Sequence, residues 1–177
     1  DSPSYLGFSE PTDDRGFMRK ISSYYFLQDV IGRNQGGIYP LLRTVERISL
    51  GIQRRLNVRR KEFVPTYKGA NWFSIHDDLA QYVLGCERLI KKQFFYTVCA
   101  DEMFLQSVAM ASPLRDRIIN NSLRAIDWER GGPYTYRQED VAGLLDSPML
   151  FGRKFDVCVD AAAVQAVVSA LTFSAKT

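Results

Sequence analysis

At 177 residues, with 46% hydrophobic and 12% aromatic content, the chain is long enough for one compact domain with a substantial core. No apolar run approaches the roughly 18–20 residues needed to cross a bilayer, and the N-terminus lacks the charged-then-apolar pattern of a signal peptide, so a soluble chain is expected. The net charge of +3 comes mostly from one concentration, Arg54, Arg55, Arg59, Arg60 and Lys61, which fits phosphate, nucleic acid, an acidic membrane or a merely solvated helix end. The three cysteines, Cys86, Cys99 and Cys158, are odd in number and lack CxxC spacing, which argues against a structural zinc site or a full disulfide framework and for a reducing compartment. The chain begins at Asp1 rather than Met, so processing or truncation with further sequence upstream is expected.

In chain order, residues 5–9 and the aromatic-rich 22–27 read as short strands, joined by a basic-acidic connector without secondary structure of its own. Residues 38–56 read as a helix, because Leu41, Leu42, Val45, Ile48 and Ile52 recur near i, i+3, i+4, i+7 and Pro40 suits the first turn. A basic edge strand is expected at 58–64, and a loop from Pro65 leads into a short aromatic strand. Ser74 and Asp77 resemble a capping box opening the next helix. Two further helices are expected at 87–95 and 102–111. A strand at 123–127 and the turn Gly131-Gly132-Pro133 follow, with helices at 138–145 and 161–171, the last packed on a sheet. This mixture predicts an α/β or α+β domain.

Two motifs carry chemistry. In Ala100-Asp101-Glu102-Met103-Phe104, Asp101 is expected to cap a helix with Glu102 at its first position, where partial positive charge favours an ionised carboxylate able to act as a base. The alternative is a plain acidic helix start. In Leu150-Phe151-Gly152-Arg153-Lys154-Phe155-Asp156, the adjacent cations can offset charge on a leaving diphosphate, or can simply protect a strand edge. Regular strand geometry would point them to opposite faces unless Gly152 breaks it. Trp128 can offer an apolar platform for a sugar ring or belong to the core. His76, the only histidine, reads as part of a helix start with Asp77 and Asp78. Neither GxGxxG nor GxxxxGK[ST] occurs.

The order of Pro65-Thr66-Tyr67-Lys68-Gly69-Ala70-Asn71-Trp72-Phe73-Ser74, Ala100-Asp101-Glu102, Ser112-Pro113-Leu114-Arg115-Asp116-Arg117, Ile126-Asp127-Trp128 and the Phe151-to-Asp156 motif resembles family 14 glycosyltransferases. These include core-2/I-branching N-acetylglucosaminyltransferases and peptide O-xylosyltransferases, and the likeness is strongest to bacterial members. The resemblance implies an inverting, metal-independent GT-A enzyme with no cofactor beyond a UDP-sugar co-substrate and with a glycan or peptide hydroxyl acceptor. It implies Glu102 as catalytic base, Lys154 and Arg153 at the donor diphosphate, Arg130 as a substitute phosphate contact and Trp128 at the acceptor. Cys99-Ala100 replaces the Ser-Pro of the branching enzymes.

The chain resembles the C-terminal, acceptor-side and catalytic portion of that fold, over residues 1–177. The N-terminal nucleotide-binding half is then expected to be absent and is a needed partner, and the fragment alone is expected to be inactive. The alternative is a non-catalytic carbohydrate- or nucleotide-binding module. Nucleic acid is not expected, because the aromatics do not interleave with the 54–61 cations as stacking platforms would. The location implied is cytoplasmic or membrane-peripheral in a bacterium, or the Golgi lumen in a eukaryote.

Overall fold

The computed structural model describes residues 2–9 and 15–174, which form two compact units, one up to Asn120 and one from Asn121. Residues 10–14 of the expected connector lie outside the described residues. The architecture is helices with small mixed sheets, α/β in character as the sequence predicts.

The first unit opens with β1 (Ser4–Leu6), shorter than the expected strand, and continues through α1 (Arg15–Ser22), which forms where a plain connector is expected, α2 (Gln28–Ile31) and the long α3 (Tyr39–Arg55). It then runs through β2 (Phe73–Ser74), α4 (Asp77–Gly85), α5 (Glu87–Phe94), α6 (Phe104–Met110) and β3 (Ile118–Ile119). β1 is central to the sheet, antiparallel to β2 and parallel to β3. Asn120 prolongs the β1–β3 edge, its side chain donating to Phe8 O and accepting from Phe8 N. Leu6, Leu79, Val83, Leu105, Val108 and Ala109 form the main core under this sheet. A second cluster joins Phe17 and Phe94 to Met103, which is fully buried.

Two expected strands are absent. At 22–27 the backbone is irregular because side chains satisfy it: Gln53 both donates to Tyr24 O and accepts from Tyr24 N, each at 2.8 Å, and Glu46 accepts from Leu27 N. At 58–64 Gln93 does the same, accepting from the N–H groups of Phe63 and Val64 and donating to Val64 O. Buried amides thus replace strand neighbours, meeting the backbone's obligatory hydrogen-bonding need by another route. The aromatics of 22–27 cluster instead, Tyr24 stacking on Phe26 and both meeting Tyr96 edge-on.

The helix expected at 38–56 is present, but its polar side faces inward. Glu46 and Gln53 are buried, whereas Leu41, Val45, Ile48 and Ile52 are exposed. The α4 start also differs: His76 is the N-cap and Ser74 belongs to β2. His76 Nδ1 lies 2.7 Å from Asp78 Oδ1, and Arg117 Nη1 pairs with Asp78 Oδ2 at 2.6 Å. His76 therefore belongs to a helix start, in line with the structural reading.

The second unit contains β4 (Arg124–Ile126), α7 (Val141–Leu145), β5 (Phe151–Arg153) and α8 (Ala161–Ser174), with a 3-10 turn at Gln138–Asp140 before α7. β4 and β5 pair in parallel with Arg124 opposite Phe151 and Ile126 opposite Arg153. Val167 and Leu171 of α8 face Ala125 and Phe151 of this sheet across a shared apolar cavity.

Candidate functional site

Glu102 lies in the first unit, but not where helix capping would put it. Residues 100–102 form a 3-10 turn, entered through Cys99 in the left-handed region (φ 56°), and α6 begins only at Phe104. Asp101 does not cap the helix. Its Oδ2 accepts from Asn71 Nδ2 at 2.6 Å, so the carboxylate expected to cap is held by another segment.

That segment is the loop 66–72, and it grips the acidic turn along its length. Tyr67 N–H donates to Ser107 Oγ at 3.0 Å, and Ser107 Oγ in turn donates to Met103 O at 2.7 Å. Gly69 N–H donates to Glu102 O at 2.8 Å, and the fully buried Gln106 donates through Nε2 to Ala70 O at 3.0 Å. Met103, the next residue after Glu102, is the fully buried anchor of the second core cluster, and burial of such a side chain contributes roughly 1.5–3 kcal/mol. The backbone of Glu102 is thus fixed from both sides, while its side chain is only half-buried. A carboxylate on a fixed backbone, open to solvent on one side, can meet an incoming hydroxyl.

The remaining expected site residues lie in the second unit, around a closed turn. Tyr134 N–H donates to Asp127 O at 2.9 Å, closing residues 127–134. Inside it, Asp127 Oδ1 accepts from the N–H groups of Glu129 and Arg130, and Asp127 Oδ2 receives Arg130 Nε at 2.5 Å. Arg130 Nη1 pairs with Asp140 at 2.9 Å, and its guanidinium lies 3.9 Å from the Tyr134 ring centroid. Its two carboxylate partners raise its pKa further, and Arg130's hydrogen bond is the largest cause holding the Asp127 carboxyl below its ordinary range. Asp140 is lowered too, chiefly by the Arg137 backbone N–H and then by Arg130. The charge of Arg130 is therefore already met within the turn.

Trp128 projects from this turn and is 65% exposed, a surface platform rather than a core residue. Gly132 lies against its ring: a Cβ there would fall 2.6 Å from Trp128 Cε3. The peptide bond between Gly132 and Pro133 is cis, as is that between Arg153 and Lys154.

β4–β5 pairing brings the second basic motif to the same turn. The strand ends at Arg153, so strict alternation does not extend to Lys154. Lys154 is tied by its backbone to the turn's exit, donating to Tyr134 O at 3.3 Å and accepting from Tyr136 N–H at 2.8 Å, and its side chain is exposed. Trp128, Arg130 and Lys154 thus share one small scaffold, the segment 134–136. Among the described residues no group of three or more His, Cys, Asp or Glu gathers as a metal site would require, and the three cysteines are free thiols.

The residues that sequence reasoning left without a role are Gly69, Asn71, Gln106 and Ser107. The first two stand in the motif from Pro65 to Ser74, and their distance along the chain from Glu102 conceals the contact.

A family model described as Core-2/I-Branching enzyme matches residues 45–145, a span that includes Glu102, Trp128 and Arg130 and stops before Arg153. Among curated proteins, a Xylosyltransferase sqv-6 from Caenorhabditis briggsae is 26% identical over 141 residues, and that of Caenorhabditis elegans is 23% identical over 141 residues. Each alignment covers 64% of this chain and only 18% of the relative. Both relatives are nematode proteins, so the expected leaning toward bacterial members is not borne out.

Proposed function

The chain belongs to the Core-2/I-Branching enzyme family, and from that premise we propose that it is the catalytic portion of an inverting, metal-independent glycosyltransferase with a GT-A-type fold. The donor is a UDP-sugar and the acceptor a glycan or peptide hydroxyl. The observation that carries this reading is the grip of loop 66–72 on the turn bearing Glu102, which fixes a half-open carboxylate in position without spending it on an ion pair. Glu102 takes the proton of the acceptor hydroxyl as that oxygen attacks the anomeric carbon. The bond from that carbon to the diphosphate oxygen breaks, its electron pair leaves with UDP, and configuration inverts.

In the second unit, Lys154 and Arg153 offset the charge appearing on the leaving diphosphate. Trp128 supplies an apolar face for the acceptor sugar. Arg130, already matched by Asp127 and Asp140, holds the turn that presents Trp128. Recognition of uracil and ribose is assigned to the nucleotide-binding half that the resemblance implies, outside this chain. The chain spans 18% of the length of the curated relatives it matches, so donor, acceptor and partners all belong to this proposal.

The test uses the full-length protein with UDP-sugars, including UDP-xylose and UDP-N-acetylglucosamine, and glycan and peptide acceptors, with NMR of the product linkage. An inverted linkage formed undiminished in EDTA is expected. Retention of configuration, or activity abolished by EDTA and restored by Mn²⁺, would contradict the reading.

A further inference from the structure

The basic run that follows α3 takes no part in this chemistry, and it borders a cavity in the first unit. The cavity measures about 170 Å³, room for roughly five or six waters at about 30 Å³ each. It lies between the end of α1, the consecutive cations Arg59, Arg60 and Lys61, and the end of α5. Three buried polar side chains, Thr66, Gln93 and Thr97, line it, so its wall is built for a polar occupant.

Arg60 is half-buried at this wall. Its backbone N–H donates to Ser22 O at 3.0 Å, its Nη1 donates to Thr97 Oγ1 and its Nη2 to Gln93 O, and its guanidinium carbon lies 5.3 Å from the Tyr24 ring centroid. These side-chain bonds use two of the five N–H donors of a guanidinium and neutralise none of its charge. A cation near the last carbonyls of α5 is favourable, which explains these contacts of Arg60 but explains neither Arg59 nor Lys61. Arg59 donates to Asn57 Oδ1, and Lys61 Nζ lies 5.4 Å from the Phe63 ring, a contact it shares with Lys92. Among the described residues none of the three cations forms an ion pair. The one carboxylate at the cavity, Glu62, is engaged by Thr66, accepting from its N–H at 2.8 Å and from its hydroxyl at 2.6 Å. An adjoining cavity that shares Arg59 adds Arg19 and Arg54 and no carboxylate, so the positive charge is not cancelled from that side.

We propose that this cavity binds a small phosphate monoester, as free phosphate or carried on a sugar, with Arg60 as its inner ligand and Arg59 and Lys61 flanking it. Three cations against one carboxylate leave a surplus of two positive charges at the cavity. A phosphate monoester carries about −1.5 to −2 near neutral pH and presents three acceptor oxygens, which matches both that surplus and the free N–H donors. A carboxylate brings one charge and two oxygens and would leave half of the surplus unmet. Because Thr97 and Gln93 already hold the Arg60 guanidinium in place, little side-chain freedom is lost on binding. Every residue of this site belongs to the first unit, and none belongs to the basic motif at Arg153 and Lys154.

The experiment is titration calorimetry of the full-length protein with inorganic phosphate, glucose 6-phosphate, glucose and acetate, at low and high salt. Three variants accompany it, Arg59→Gln/Lys61→Gln, Arg60→Gln and Lys154→Ala, with circular dichroism to confirm helix content. Arg59 and Lys61 are exposed, so their double variant is expected to keep its fold and carries the test if Arg60→Gln loses helix. Saturable phosphate binding is expected that weakens with salt, falls roughly tenfold or more in the two cavity variants and is unchanged in Lys154→Ala. Glucose 6-phosphate bound more tightly than inorganic phosphate would mark a sugar phosphate as the ligand, and the reverse order free phosphate; either order bears the proposal out. Absence of saturable phosphate binding, acetate or glucose bound as tightly as phosphate, affinity unchanged in Arg59→Gln/Lys61→Gln, or affinity lost in Lys154→Ala would overturn it.

Discussion

A side chain at position 69 has nowhere to go. A Cβ there would overlap the Gly7 carbonyl oxygen and come within 2.7 Å of Gln106 Nε2, and the Gly7 oxygen is backbone that cannot swing aside. Gly69→Ala is therefore expected to lower stability by roughly 1–3 kcal/mol, the usual cost of overpacking, read as a fall in the urea midpoint at unchanged slope. An unchanged midpoint would mean that the loop does not press on the acidic turn. Asn71 permits a sharper test. Asn71→Asp sets a second carboxylate where the amide lies 2.6 Å from Asp101 Oδ2, so it should impair transfer more than Asn71→Ala at neutral pH and recover as the pair shares a proton on acidification. Identical pH profiles for the two variants would remove the contact from the account. At this scale the sequence is legible for the residues and not for their pairing. Asp101 and Glu102 stand out as an acidic pair, but the amide that redirects Asp101 from capping comes from a loop thirty residues earlier, and local pattern carries no trace of it.

Among elements, the turn 127–134 is the piece whose stability responds to pH. Asp127 is held below the ordinary carboxylate range chiefly by Arg130, and Asp140 by the Arg137 N–H and Arg130. Because their folded-state pKa values lie below the unfolded ones, the stability they contribute is fully present above about pH 4 and is lost as pH falls through the folded values. Unfolding of the second unit should thus be insensitive from pH 7 to about pH 5 and steepen below about pH 4. Arg130→Gln should flatten that acid limb, and an unaltered acid limb would contradict the pairing. Gly132→Ala is expected to push Trp128 from its place and shift indole fluorescence, because the added Cβ would fall on the ring. An unshifted spectrum would show that the ring does not rest on Gly132. The sequence predicted β4, the turn and the helices α4, α5 and α7 well, because local periodicity and turn residues decide them. It failed at 22–27 and 58–64, where Gln53 and Gln93 reach from distant helices to take the hydrogen bonds a strand neighbour would have taken. It also read α3 as amphipathic without revealing that its polar side is the buried one.

For the whole molecule, the family match crosses from the first unit into the second, so the acidic turn and the Trp128 turn both fall within one family region even though each unit has its own framework. Membership rests on that match, and the chemistry rests on one carboxylate. No helix among the described residues is long and apolar enough to cross a membrane. The account is tested most directly by Glu102→Gln in the full-length enzyme, with transfer rate and UDP affinity measured side by side. The amide keeps the shape of the turn and cannot accept a proton, so turnover should fall about 10²–10⁴-fold while UDP affinity stays near that of the unaltered protein; near-normal turnover would remove Glu102 from the mechanism.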